Sequence, residues 1–240
     1  MITGMIYVKL EDVSLEYPIY NAESTSLKRH IISFTTGGLI TRKPKEITTV
    51  KALSNINLEL TSGTKLGIIG HNGSGKSTLL RCISGIYRPT KGTVSTSGTI
   101  SPLLEIGAGI EPELSGYDNI RRLLSIRSVS YADIPEIIQD IAEFSELGEF
   151  LSLPVRTYSA GMMMRLMFSV STAQTPDILI MDEFFSVGDD SFREKAEQKI
   201  MSHINNSSIL VFASHSEQLL KKFCNRFIRL DHGNLKSIEL

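Results

Sequence analysis

Apolar positions in this 240-residue chain follow two different periods. Tyr7 to Leu15 alternates apolar and polar residues, the signature of a half-buried strand. Leu53 to Leu60 does so again, with Leu53, Ile56, Leu58 and Leu60 apolar. Two strands so early predict an antiparallel β element beside the main sheet. Leu66 to Ile69, Ile178 to Met181 and Ile209 to Ala213 are instead short, unbroken apolar runs, the pattern of parallel strands covered on both faces. Phe227 to Leu230 reads as a last strand, and Thr93 to Leu104 as strands broken at Gly98. Helices are predicted over Ser77–Ile86, Asn119–Ile126, Ile134–Leu147, Met162–Ala173 and Phe192–Ile204, where the apolar spacing approaches 3.6. The sum is a single α/β unit over residues 1–240. It has a mainly parallel core sheet, an antiparallel β element and a helical insertion over roughly residues 105–175.

Composition narrows the function classes. Hydrophobic residues are 41% and charged residues 21% of the chain, as in ordinary globular proteins, which excludes wholesale disorder and fibrous rods. A net charge of −1 argues against a dedicated nucleic-acid binder. No apolar run is long enough to span a bilayer, and Met1 to Leu10 has no secretory pattern. Cys82 and Cys224 cannot build a disulfide framework and read as small buried thiols of a reducing cytosol. His30, His71, His203 and His232 show no metal-ligand spacing with one another or with the cysteines. Met162, Met163, Met164 and Met167 read as helix packing. The long connector Pro18–Lys51 is basic and holds Ile31, Ile32, Phe34 and a Gly37-Gly38 pair, which suits contact with a membrane partner or anionic head groups.

The clearest chemistry is Gly70-His71-Asn72-Gly73-Ser74-Gly75-Lys76-Ser77-Thr78, which fits G-x-x-x-x-G-K-[ST] between a predicted strand and a predicted helix. Glycines let the main chain wrap an anion with its N–H groups pointing inward, and the helix start adds positive dipole charge. Lys76 suits the β- and γ-phosphates, and the Ser77 hydroxyl suits Mg²⁺. The glycine spacing is wrong for a dinucleotide fold, which needs G-x-G-x-x-G. A second site element is the strand Ile178–Met181 running into Asp182-Glu183. Asp182 at a strand's carboxyl end can hold Mg²⁺, and Glu183, aimed elsewhere, can polarise an attacking water as general base.

Tyr158-Ser159-Ala160-Gly161-Met162 before a helix resembles the signature of ATP-binding cassette (ABC) ATPases, Ser214-His215 their switch histidine, and Ser186-Val187-Gly188-Asp189 the loop after their catalytic glutamate. With the phosphate loop and acid pair, these motifs occur in that family's order over roughly residues 5–235. The resemblance implies two ATP·Mg²⁺ bound between two copies. Ser159 and Gly161 of one copy would meet the γ-phosphate on the other, His215 would contact the phosphate in its own copy, and Asp189 would cross the interface. Tyr17 is the candidate for stacking on adenine, with Tyr20 as rival. Glu105 lies nearest the place of the family's usual glutamine and would stand near Mg²⁺, Met162 replaces a glutamine, and Ala160 replaces a glycine.

These departures, the stretch Leu104 to Gly116, Arg165-Leu166 and the long connector resemble the polysaccharide-exporting branch. That branch exports lipid-linked O-antigen, capsule or teichoic acid. The resemblance implies a homodimer beneath two copies of an integral-membrane permease, on the cytoplasmic face of a bacterial inner membrane. Its cargo is a lipid-linked glycan, most closely O-antigen, and nucleic acid is no partner. Some members add a carbohydrate-binding domain; ending at Leu240, this chain is expected to lack one. A soluble cassette acting on DNA or ribosomes is the rival class, but such proteins fuse cassettes or insert coiled coils, and no sustained heptads occur here. An importer cassette would be expected to keep the glutamine.

Overall fold

The computed structural model describes residues 4–19, 48–104, 107–127, 129–183 and 190–238. Nine strands and six α-helices are described. In chain order they run β1 (Tyr7–Ile19), β2 (Thr48–Thr61), β3 (Lys65–Ile69), α1 (Lys76–Ile83), β4 (Lys91–Ser97), β5 (Ile100–Leu103), α2 (Gly116–Ile126) and α3 (Ile134–Ser145). Then come α4 (Ala160–Ser171), β6 (Ile178–Asp182), α5 (Asp190–Asn206), β7 (Ile209–Ala213), α6 (Glu217–Phe223), β8 (Arg226–Asp231) and β9 (Asn234–Ile238). They form an antiparallel sheet ordered β2-β1-β4 and a six-stranded sheet ordered β5-β6-β7-β3-β8-β9. Every pairing in the larger sheet is parallel except β8–β9.

The unbroken apolar runs divide by alternation. Ile178, Ile180, Ile209, Val211 and Ala213 join one cluster with β1, β2 and the α1 residues Leu79, Leu80 and Ile83. Their neighbours Leu179, Met181, Leu210 and Phe212 join another, with Phe168 from α4, Phe192, Ala196, Ile200 and Ile204 from α5, and Leu220 and Phe223 from α6. Period-2 side-chain alternation puts the two sets on opposite faces, so each strand is apolar throughout. Helices α2, α3 and α4 enclose a third cluster of their own, with Ile120, Leu124, Ile141, Leu151, Val155 and Leu166 buried. Within it Asn119 is fully buried, accepting from Glu111 N–H at 2.8 Å and donating to the carbonyls of Glu111, Leu114 and Ser115. Its amide thereby fixes the loop entering α2.

Several expected boundaries move. Pro18–Ile19 and Thr48–Lys51 belong to β1 and β2 rather than to the connector, because Tyr17 pairs with Val50 and Ile19 with Thr48. The helix expected over Ser77–Ile86 ends at Ile83. Gly85 turns left-handed (φ 73°), and Gly85 and Ile86 donate back to the Cys82 and Arg81 carbonyls, which closes the helix. The helix expected from Met162 starts earlier, at Ala160, because Ser159 caps it by accepting from Met162 N–H at 3.2 Å. Helix α6 and strand β9 were not read from the pattern. Glu217–Phe223 is too short to show a helical period, and Asn234–Ile238 is only partly apolar. Cys82 is buried and Cys224 half-buried, and burial pushes their thiols up to about 11 and about 12. Among the described residues no helix is long and apolar enough to cross a membrane.

Phe168 stacks on Phe144 of α3 and meets Phe192 of α5 edge-on, so one ring joins the helical insertion to the sheet. Phe168→Ala is expected to cost about 3–5 kcal/mol, read as a shift in the urea midpoint at unchanged slope.

Candidate functional site

The site grows from strand ends that stop level. Ile68 of β3 lies opposite Ala213 of β7, and Ala213 lies opposite Asp182 of β6. The chain leaving β3 at Gly70 wraps through Gly73 (φ 78°) and Gly75 (φ 106°) into α1. A Cβ on Gly70 would collide with Ser74 Oγ and the Leu230 carbonyl, and one on Gly75 would lie 2.7 Å from the Ala52 oxygen. Helix α1 opens with no side-chain cap and no acid in its first turn, so neither supplies a protein anion to its N–H groups. Lys76 Nζ donates to the Gly70 and His71 carbonyls at 2.6 and 3.1 Å, so its ammonium lies along the loop. Ser77 Oγ donates to Asp182 Oδ2 at 2.6 Å, joining loop to β6. A hydroxyl beside a carboxylate is a hard oxygen donor set, and with the glycine cradle it fits a nucleoside triphosphate and its Mg²⁺.

Glu183 follows in a left-handed conformation (φ 64°), with its N–H donating to the Ala213 carbonyl at 2.8 Å. Non-glycine residues pay for φ > 0, and such outliers gather where a side chain must be aimed. Here the turn carries the carboxylate across β7, where Oε1 meets His215 Nε2 at 2.8 Å. Both side chains are about half exposed, so the pair stands open to water. A carboxylate so placed can take a proton from water while the imidazole orients it.

A cavity of about 580 Å³ brings Tyr17, Asn72, Lys76, Ser77, Thr78, Asp182, Glu183 and His215 to one space. Tyr17 reaches it because β1 continues past Leu15. Its ring meets Tyr87 edge-on at 6.0 Å, and burial raises its hydroxyl pKa despite a hydrogen bond with Thr78. Tyr20, Glu105 and Asp189 lie outside the described residues. Ser74 is buried, and its carbonyl accepts from Gly233 N–H at 2.9 Å. His71 is exposed and turned toward Asp231. The sequence reading missed the β8–β9 turn, although His232-Gly233 between two apolar stretches is a hairpin signal. It also missed Val50, Lys51 and Ala52, which wall the cavity from β2.

Residues 53–186 match the family model described as ABC transporter. A relative from Yersinia enterocolitica, named O-antigen export system ATP-binding protein RfbE, is 51% identical over 96% of this chain and 95% of its own length. The chain belongs to the ABC transporter family. Another relative of this cassette, the Myxococcus xanthus O-antigen export system ATP-binding protein RfbB, is 39% identical over 98% of this chain, which spans 54% of that protein. The teichoic acids export ATP-binding protein TagH of Listeria monocytogenes is 36% identical over 97% of this chain and 67% of its own. The ADP- and Pi-bound dimeric cassette MJ0796 shares the fold, with TM-score 0.66 at 20% identity over 97% of this chain and 99% of that one. Cassettes of this family are ATPases, and this chain is one.

The cassette's Ser159 and Gly161 do not meet its own phosphate loop. They are exposed on a separate cavity of about 550 Å³ with Glu146, Phe150, Met162 and Arg165. Glu146 there is held below the ordinary carboxyl range by Lys195, at 2.9 Å, and then by Arg165. Neither α1 nor α4 has an acid in its first turn, so both helix starts keep their positive dipole ends.

The strain at Glu183 is measurable apart from chemistry. Both Glu183→Gly and Glu183→Ala remove the bond to His215, but only glycine is at ease at φ 64°. The alanine variant is expected to be about 1 kcal/mol less stable than the glycine variant in chemical denaturation.

Proposed function

We propose that this cassette is the ATP-hydrolysing subunit of an exporter of lipid-linked polysaccharide, with O-antigen as its cargo. The observation that carries the reading is the Yersinia relative, whose likeness runs over nearly the whole of both chains. The teichoic acid relatives are similar at lower identity and give the second cargo to test. The cassette is one nucleotide-binding domain with its helical subdomain over about residues 105–175. It works as a homodimer beneath two copies of an integral-membrane permease, at the cytoplasmic face of a bacterial inner membrane.

In this mechanism the loop Gly70–Thr78 binds the phosphates of ATP. Lys76 offsets their charge, and Tyr17 stacks on the adenine. Ser77 and Asp182, already bonded to each other, would hold Mg²⁺, whose contribution is charge neutralisation on the β- and γ-phosphate oxygens. Glu183 takes the proton from the attacking water and His215 keeps its carboxylate aimed. Ser159 and Gly161, open on a different face, serve the nucleotide of the second copy, which supports a site built from two chains. In this reading Asp189 would contact the second copy, and Glu105 would take the place of the family's glutamine toward Mg²⁺. ATP moves the dimer toward closure only through its higher affinity for the closed form. Closure then drives the permease through the helical subdomain.

Removing the subunit from its host is expected to leave the glycan lipid-linked on the inner side of the membrane. Unchanged surface O-antigen would sink the cargo assignment, and loss of teichoic acid instead would favour the second. Glu183→Gln is expected to bind ATP with hydrolysis slowed by about 10²–10⁴-fold and to accumulate as a dimer in size-exclusion chromatography. Full turnover in that variant would remove the base assignment. Lys76→Ala should lose most nucleotide affinity in equilibrium binding.

A further inference from the structure

The fold brings together two histidines that sequence spacing had kept apart. His71, in the phosphate loop, lies 160 positions from Asp231, the last residue of β8, yet its Nε2 is 3.3 Å from Asp231 Oδ1. His232 Nδ1 lies 2.7 Å from the same oxygen. One ligand-type atom from each of the three residues falls within 4.8 Å of the others, and the two rings are 4.8 Å apart at 56°.

Proton placement gives this cluster a direction. The other nitrogen of His71, Nδ1, is 2.8 Å from the Asn72 carbonyl oxygen. A carbonyl only accepts, so Nδ1 carries the hydrogen, and in the neutral form of the ring Nε2 would turn its lone pair toward Asp231. A lone pair facing a carboxylate oxygen is repulsive unless the ring gains a second proton or a cation lies between. An imidazole bonded to a carbonyl through its far nitrogen is the usual outer partner arrangement of a metal-bound histidine.

We propose that His71, Asp231 and His232 form a surface site for a divalent transition metal of the zinc class, distinct from the Ser77–Asp182 pair. Two imidazoles and one carboxylate suit zinc and its borderline neighbours rather than Mg²⁺, which takes oxygen ligands. Three protein ligands leave a fourth position for water. His232 is 82% exposed in its side chain, so the metal exchanges with solvent. The metal staples the phosphate loop to the β8–β9 turn. That staple reinforces the Gly233 N–H bond to the Ser74 carbonyl, 2.9 Å long, which already joins the same two segments.

The test uses the untagged full chain without nucleotide or Mg²⁺, titrated with zinc chloride against a chromophoric chelator and followed by thermal unfolding. One zinc per chain and a raised unfolding temperature are expected, because a ligand of the native state stabilises it. His232 occupies the first position of a turn with φ 46° followed by Gly233 at 75°, where asparagine is favoured, so His232→Asn keeps the turn. His232→Asn and Asp231→Asn are each expected to weaken zinc binding by about 10–100-fold and to cancel the thermal shift. No zinc uptake by the wild-type chain would overturn the proposal. Uptake unchanged in His232→Asn, or lost in His215→Ala in its place, would overturn it as well.

Discussion

The parallel register that sets Ile68 beside Ala213, and Ala213 beside Asp182, gives three separate loops a common origin. Loop, acid pair and histidine come from distant parts of the chain and meet because their strands end at one level. A register shift of one residue would move Asp182 by about 3.3 Å along its strand, more than the whole length of its bond from Ser77. The strands keep that register because each is apolar on both faces and each face meets a different partner. The antiparallel sheet and α1 cover one face, and α4, α5 and α6 cover the other. Packing therefore sets the positions on which the chemistry depends.

The helical insertion has its own buried cluster, so it carries much of its stability locally. Its joint to the sheet is aromatic, through Phe144, Phe168 and Phe192, with Lys195 held near the Phe144 ring and bonded to Glu146. In the proposed mechanism this region, with a core of its own, would move as a body on closure around a nucleotide. Asn119 serves the same end. Its saturated amide keeps the loop before α2 from deforming independently of the helix.

Much of this was legible in the chain. The phosphate loop and the acid pair carry their chemistry in consecutive residues, and buried strands announce themselves as unbroken apolar runs. What could not be read depends on long-range pairing. The extension of β1 to Ile19 depends on partners in β2, and those residues are polar or aromatic without strict alternation. The end of α1 at Ile83 was written in Gly85, but only its left-handed turn shows that the glycine stops the helix. Ser159 could be read as a motif residue and also proves to be the cap of α4. The meeting of His71 with Asp231 and His232 had no local signal, because side-chain contacts joining a loop to a distant turn leave no period in the sequence.

The left-handed backbone at Glu183 also bears on how this protein can change over generations. Glycine and asparagine tolerate that conformation best, so selection for heat tolerance alone pulls residue 183 away from a long acidic side chain. With Glu183 as the proposed base, selection for turnover pulls the other way. Whichever pressure is relaxed should be visible there first, which makes position 183 a sensitive indicator of whether a descendant of this chain still has to hydrolyse anything.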